Sequence, residues 1–179
     1  MKRVTLLRHA KSGEDFGHAR DFDRTLNPKG RRAAQVIGRH MRDADLSFDA
    51  VIASPAVRVA ETLEEVEAGY GRALSPDWRR SLYLASADDL LDAIHAAPDD
   101  AASLLLVGHN PGLEQLVLLL TPDNQSGTRR DVEAKYPTGS MAEIRFDVER
   151  WDEVAPGGGE LVRFVRPRDL DVALGPEYA

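Results

Sequence analysis

The sequence predicts an α/β fold, a three-layer α/β/α sandwich around a mostly parallel sheet, with a β-hairpin near the C-terminus. Short apolar runs at Val4–Leu7, Ala50–Ala53 and Leu104–Val107 have the length and composition of buried strands. A segment with helical spacing follows each run, which is the pattern that connects parallel strands. The length of 179 residues suits a single domain over 1–179 with a substantial core.

Each predicted helix has a start signal and an apolar stripe. Asn27 predicts an N-cap with Pro28 in the first turn, and Ser86–Asp89 predicts a capping box. The second and fourth helices follow the turns at 54–55 and 108–112. The stripes are Ala33, Ala34, Ile37 and Met41, then Val59, Leu63, Val66 and Tyr70, then Leu90, Leu91 and Ile94, and finally Leu113, Leu116, Val117 and Leu120.

The last third of the sequence changes character. Ala142–Phe146 and Leu161–Val165 predict two strands, and the polar segment Asp147–Gly159 between them predicts a hairpin at one side of the sheet. Two polar segments without periodicity, about 11–25 and 122–138, are expected to be irregular loops that have a functional role.

Composition argues against several classes of protein. The chain has 23 Lys+Arg and 30 Asp+Glu, a net charge of −7, which opposes a nucleic-acid partner bound through bulk positive charge. It has no cysteine, so disulfides, thiol catalysis and thiolate metal sites are excluded. The N-terminal residues do not form a signal-peptide pattern, and the apolar stretch near Leu116–Leu120 is far shorter than a membrane span. We therefore expect a cytoplasmic protein with no nucleic-acid or membrane partner.

Cationic and imidazole side chains follow the three predicted strands. Arg8 and His9 end the first strand, Arg58 lies one turn into the helix after the second, and His109 follows the third. Ligands of open α/β sheets bind outside the carboxyl ends of the strands, so these side chains are expected to converge. Two guanidiniums, two imidazoles and nearby helix N-termini form a site that matches phosphate oxygens.

His9 makes this anion site a candidate catalytic site, because histidine can act as a nucleophile and form a covalent intermediate. Phosphoryl transfer requires in-line positioning and stabilisation of charge on the equatorial oxygens. His9 suits the first task, and Arg8, Arg58 and His109 suit the second. The sequence contains no P-loop, no nucleophile elbow and no zinc helix, and the local positive charge would repel a cation. We expect neither a metal nor a cofactor.

Three motifs occur in order at these strand ends. Residues 8–10 read Arg-His-Ala, residues 54–62 read Ser-Pro-Ala-Val-Arg-Val-Ala-Glu-Thr, and residues 108–111 read Gly-His-Asn-Pro. Together they resemble the signatures of the histidine phosphatase superfamily, also called phosphoglycerate mutase-like. Segment 21–30 and the short chain are most similar to its small phosphohistidine phosphatase branch, the SixA-like proteins. The resemblance extends from residue 3 to about 146.

The resemblance implies a phosphoglycerate mutase-like fold and hydrolysis of phosphohistidine or phosphomonoesters through a phosphorylated His9. Arg8, Arg58 and His109 would then hold the phosphoryl group, with the backbone N–H of Asn110 beside them. The implied partner is a phosphorylated protein or a small phosphorylated metabolite. Two alternatives stay open, a phosphatase for sugar or nucleotide phosphates and a non-catalytic phosphate-binding module. The nucleophile argues against the module, because binding alone does not need one.

The sequence departs from the family at the general acid. Many relatives place a Glu near what is here 81–87, a stretch without a carboxylate. Asp21 or Asp23 is the candidate acid, and Asp88 or Asp89 would be the next to test. A weak acid favours leaving groups such as imidazole, whose conjugate acid has a pKa of about 6.5, over alkoxides. This agrees with phosphohistidine as the substrate.

Overall fold

The computed structural model of the chain describes residues 1–13 and 20–175, and these residues form one six-stranded sheet. The strands are β1 Lys2–Arg8, β2 Ala50–Ala53, β3 Asp77–Trp78, β4 Ser103–Gly108, β5 Met141–Phe146 and β6 Gly159–Val165. Their order across the sheet is β3-β2-β4-β1-β5-β6. The first four are mutually parallel, whereas β5 is antiparallel to both of its neighbours, β1 and β6. The mostly parallel sheet and its C-terminal hairpin are thus confirmed.

Helices cover both faces of the sheet. In the described ranges they are α1 Pro28–Asp43, α2 Val57–Tyr70, α3 Ala87–His95, α4 Gly112–Leu120, α5 Gly127–Ala134 and α6 Pro167–Leu170. The two predicted N-caps are present, since the Asn27 side chain accepts from the Gly30 N–H at 2.7 Å and Ser86 Oγ accepts from the Asp89 N–H at 3.2 Å. The predicted capping box is only half formed, because the Asp89 side chain does not accept from the Ser86 N–H. None of these helices has the length and hydropathy needed to cross a lipid bilayer.

The core has two halves, one on each face of the sheet. On β1, Val4 and Leu6 pack in a cluster with residues of α3 and α4, whereas Leu7 packs in a second cluster with residues of α1 and α2. All three side chains are fully buried. Helices on both faces explain why the central strands are apolar throughout rather than alternating.

Several predicted boundaries need correction. The segment 122–138 is not irregular, because it contains α5, which Ser126 caps. Only Arg129 and Val132 of this helix are buried, so it has no apolar stripe to reveal it. The predictions also omitted β3 and α6. In the other predicted loop, 11–25, residues 14–19 lie outside the described residues.

Helices α1 and α2 meet at a contact that we call the glycine seam, formed by Gly38 and Gly69. A Cβ atom on Gly38 would lie 2.2 Å from the Val66 carbonyl oxygen, and one on Gly69 would lie 2.1 Å from that of Gln35. Any larger residue would force the two backbones apart. The seam therefore fixes α1 against α2, the helix that carries Arg58 in its first turn.

Candidate active site

A pocket of about 400 Å³ opens at the carboxyl ends of the parallel strands. In β1 and β4, Arg8 is paired in register with Gly108, so the residues that follow these strands are neighbours. The His9 and His109 ring centroids accordingly lie 5.4 Å apart. The described residues that line the pocket are Arg8, His9, Lys11, Ser12, Asp21, Arg24, Arg58, Leu84, His109, Asn110 and Thr138. The structure thus brings together Arg8, His9, Arg58, His109 and Asn110, as the sequence predicts.

His9 is held in its neutral form. Its Nδ1 lies 2.7 Å from the Ala10 carbonyl oxygen and must donate the proton, because a carbonyl can only accept. Nε2 is then an unprotonated acceptor, and Arg58 Nε lies 3.4 Å from it. Burial, helped by the charges of His109, Arg58 and Arg8, lowers the pKa of His9 to about 3. At neutral pH the ring therefore presents a lone pair on Nε2.

Arg58 is buried and held by Asp21. Its Nη1 donates to the Asp21 carbonyl oxygen at 2.8 Å, and its Nη2 donates to Asp21 Oδ2 at 3.0 Å. The contacts to the imidazoles are longer, 3.4 Å from Nε to His9 Nε2 and 3.3 Å from Nη2 to His109 Nδ1. Asp21 thus orients the guanidinium, while the donors near the two rings remain available for a better, anionic acceptor.

His109 is also buried and neutral. Its Nε2 lies 2.8 Å from Ser54 Oγ, and its Nδ1 receives the contact from Arg58. Because Arg58 has only donors, the proton is on Nε2 and is shared with Ser54. Burial, together with the Arg58 charge, lowers the pKa of His109 to about 4. An anion that entered between the rings would favour their protonated forms and so oppose this lowering of the pKa.

Arg8 and Asn110 share a backbone acceptor. Arg8 Nη1 and Asn110 Nδ2 both donate to the Tyr136 carbonyl oxygen, at 2.8 Å and 3.1 Å. Arg8 Nε is buried, and no described residue accepts a hydrogen bond from it. An unpaired buried donor on a charged group is costly. It is therefore the kind of donor that a bound oxyanion would satisfy.

The candidate general acids are not placed to donate a proton. Tyr83 Oη donates to Asp21 Oδ2 at 2.5 Å. That bond, with those from Arg24 and Arg58, lowers the pKa of Asp21 to about 2, so Asp21 is ionised at neutral pH. Asp23 lies outside the pocket lining and pairs with Arg20 at 3.0 Å. Asp88 and Asp89 are exposed in the first turn of α3, also outside the lining.

Sequence reasoning missed Tyr83 and Leu84. They follow a short 3-10 turn, Arg80–Leu82, and Leu84 has a left-handed backbone with φ of +50°. Neither residue belongs to a periodic pattern. The family resemblance is the available signal, since it places the acid of many relatives near 81–87, but the missing carboxylate directs attention away from this segment. Lys11 and Ser12, by contrast, directly follow the motif at the end of β1 and could have been expected at the same edge of the sheet.

The surroundings of the site offer no obvious place for a metal. Across residues 1–13 and 20–175, no three side chains of the metal-binding types come together. Of the charged groups in the described pocket lining, Arg8, Lys11, Arg24 and Arg58 are cations and Asp21 is the carboxylate. This excess of positive charge favours an anionic ligand.

Comparison with known proteins agrees with the sequence motifs. The model of the histidine phosphatase superfamily (branch 1) matches residues 4–80. An uncharacterized protein of Mycobacterium tuberculosis is 33% identical over 164 residues, which cover 90% of this chain and 100% of that protein.

Solved structures extend the similarity to the whole fold. The SixA protein of Nakamurella multipartitia, proposed to be a phosphohistidine phosphatase, superposes with a TM-score of 0.81 at 29% identity, covering 93% of this chain and 96% of that one. The SixA protein of Agrobacterium tumefaciens, with the same proposed activity, gives 0.78 at 26% identity and covers 93% and 98%.

Proposed function

The chain belongs to the histidine phosphatase superfamily and has a SixA-like fold, and on this premise we propose that it hydrolyses phosphohistidine through a phosphorylated His9. The single observation that carries the proposal is the state of His9. Its Nε2 is unprotonated and lies 3.4 Å from the buried Arg58 guanidinium. A nucleophile held beside a charged fork is the arrangement that phosphoryl transfer requires.

In the first step, His9 Nε2 attacks phosphorus and the bond from phosphorus to the leaving group breaks. The proton on Nδ1 stays where it is, because the Ala10 carbonyl oxygen accepts it at 2.7 Å. Arg58 Nε turns from His9 to a phosphoryl oxygen, and the unpaired Arg8 Nε supplies a second charged donor. The dianion raises the pKa of His109, which then donates from Nδ1 as well. In the second step water attacks phosphorus and the bond to His9 Nε2 breaks, returning its electron pair to the ring. Inorganic phosphate leaves with the oxygen and the protons of the water, and His9 is again neutral with its proton on Nδ1.

The leaving group decides between the substrate classes. No protonated carboxyl group lines the described part of the pocket, since Asp21 is ionised. An alkoxide would need a proton that these residues do not offer. The imidazole of a phosphohistidine can bring its own proton: in the form protonated on the other nitrogen, it takes the electron pair of the broken P–N bond and departs as a neutral ring. An imidazole nitrogen has a pKa of about 6.5, so this form is accessible near neutral pH. A phosphohistidine-bearing protein is therefore our proposed substrate, ahead of phosphomonoester metabolites.

We propose that side chains alone neutralise the phosphoryl charge. Arg8 and Arg58 both reach the pocket, and each presents at least one donor that a phosphoryl oxygen would accept better than its present surroundings do. On this proposal, the reaction needs no divalent cation. The cytoplasmic location expected from the sequence stays a prediction.

The test is to trap the phosphorylated enzyme. The protein is incubated in EDTA with radiolabelled phosphoramidate, and the reaction is stopped in alkaline denaturant because phosphohistidine is acid-labile. We expect label on His9, no label in His9→Ala, and turnover of that variant reduced on the order of 10⁴-fold or more. His95→Ala is the matched control, because His95 bonds to the Val154 carbonyl oxygen outside the pocket and should leave labelling unchanged.

Two results would contradict the mechanism, and two more would point to the alternative functions. One is label on a different residue when His9 is absent, and the other is a strict requirement for added Mg²⁺. Phosphate binding without turnover would indicate the non-catalytic module. Faster turnover of sugar or nucleotide phosphates than of phosphohistidine peptides would indicate the metabolite phosphatase instead.

A further inference from the structure

One residue of the pocket differs in chemistry from the rest. Leu84 is the wholly apolar side chain in the described lining, in which the other residues are charged, polar or, like Thr138, mixed. It is 55% exposed, in contrast to the core leucines, which are buried. A large apolar side chain held open to water inside a polar pocket loses the free energy that burial would provide. A ligand that covered it would recover that free energy.

The backbone at Leu84 is held in an unusual conformation. Its φ of +50° lies in the left-handed region, which leucine rarely adopts. Such conformations persist where the surroundings enforce them, and they cluster at functional sites. Leu84 is therefore not a residue of a loosely ordered turn.

The residues on either side of Leu84 are the ones that enforce this conformation. Tyr83 donates to Asp21 and packs edge-on against His109, with ring centroids 5.4 Å apart. Ala85 is buried, and its carbonyl oxygen lies so close to Gly112 that a Cβ there would be 2.1 Å away. With both neighbours anchored, the chain presents the Leu84 side chain to the pocket.

From these observations we infer that Leu84 forms an apolar wall for the leaving group and makes the site selective for leaving groups with a flat ring, such as imidazole, over small hydrated ones. The inference rests on the proposed function. Arg8, His9, Arg58 and His109 bind the phosphoryl group, and Leu84 contacts the part of the substrate that departs. It is thus a specificity-determining residue.

The experiment compares two P–N donors that differ in the ring. N-phosphoimidazole has an imidazole leaving group, whereas phosphoramidate releases ammonia. Leu84→Asn is the decisive variant, because asparagine tolerates the left-handed backbone but is polar. We expect its kcat/KM to fall about tenfold for N-phosphoimidazole, at the lower end of the effect of one apolar contact in a binding pocket. For phosphoramidate, kcat/KM should change by less than about twofold.

Two further variants sharpen the result. Leu84→Met keeps the apolar surface and should retain the selectivity of the wild type. Leu170→Asn removes another exposed leucine, in α6 and outside the pocket lining, and should change neither rate. Equal losses on both donors, or no loss on either, would overturn the inference while leaving the phosphatase proposal intact. A wild-type protein that turns over neither donor would overturn both.

Discussion

Charged groups in the two halves of the sheet are balanced in opposite ways. In the antiparallel half, Glu143 on β5 is buried between two arginines, with Oε1 3.4 Å from Arg3 Nε and Oε2 2.7 Å from Arg163 Nε. At the carboxyl ends of the parallel strands, the described pocket lining has four cations, namely Arg8, Lys11, Arg24 and Arg58, and one carboxylate, Asp21.

The difference separates a structural cluster from a candidate site. The guanidiniums of Arg3 and Arg163 neutralise the charge of Glu143, although the contact to Oε2 does not have hydrogen-bond geometry, so this cluster needs no counter-ion. The pocket lacks negative charge, and this deficit also depresses the pKa values of His9 and His109, after the larger effect of burial. A substrate phosphoryl group would supply what is missing. A charge that the protein's own groups leave uncompensated is therefore a better sign of function here than the burial of a charged group.

The largest expected effect is that of Arg58→Met. Losing a charged donor aimed at the transferring group should reduce kcat/KM for p-nitrophenyl phosphate by about 10²–10³-fold. The free energy of unfolding should fall by only about 1–2 kcal/mol, because the remaining partner Asp21 is partly exposed and keeps its hydrogen bonds from Tyr83 and Arg24. Steady-state kinetics and urea unfolding measure the two quantities. A large loss of stability with little loss of activity would contradict this assignment, because Arg58 would then be a structural charge like Glu143 rather than a functional one.

The converse change is Glu143→Gln. It leaves Arg3 and Arg163 without their shared carboxylate and should lower the free energy of unfolding by about 1–3 kcal/mol. The arginines are partly exposed, with side-chain accessibilities of 38% and 33%, so water recovers part of the loss. Activity should stay within about twofold, because the cluster is not part of the pocket lining. A drop in kcat/KM comparable to that of Arg58→Met would mean that the two halves are coupled.

The smallest effect is a difference in titration. With its pKa lowered to about 3, the His9 ring should remain neutral from pH 8 down to about pH 5, where an ordinary histidine would become protonated. NMR spectroscopy of the imidazole resonances over a pH titration measures this, and the signals that disappear in His9→Ala are those of His9. In Arg58→Met the pKa of His9 should rise, because one of the charges that oppose protonation is gone. A His9 ring that titrates near pH 6.5 in the wild type would refute the neutral nucleophile.

The central elements could be predicted because burial leaves a strong pattern. Runs such as Ala50–Ala53 are apolar throughout since helices cover both faces, and the observed β2 has the same bounds. The edge strand β3, Asp77–Trp78, is exposed at both positions and so has no comparable signal. Helix α5 is mostly polar for the same reason. Prediction failed where an element buries too little to constrain its residue types.

The site divides along a similar line. Arg8, His9 and His109 follow strands whose ends meet by topology, so their convergence could be deduced. Which of Asp21 and Asp23 reaches the pocket could not be deduced. The two residues lie in one 3-10 turn, Asp21–Asp23, yet Asp21 pairs with Arg58 in the pocket and Asp23 pairs with Arg20 outside it. The contribution of Leu84 depends on a left-handed residue between two anchored neighbours. Such placement comes from tertiary packing and leaves no mark in local sequence.

The glycine seam has a consequence for how the site moves. Where Gly38 and Gly69 bring two backbones into contact, no layer of side chains exists that could change rotamers and let α2 tilt against α1. The segment before α1 is tied to α2 as well, since the Leu26 N–H donates to Glu61 Oε1 at 2.9 Å. The residue after His9 is tied to α2 too, because the Ala10 N–H donates to Thr62 Oγ1 at 2.9 Å. His9 and Arg58 are therefore held to one another through α2 as well as through the sheet. Thermal fluctuation should therefore change little the gap between nucleophile and guanidinium, the space that a phosphoryl group enters, so that the site is already arranged for its ligand before binding.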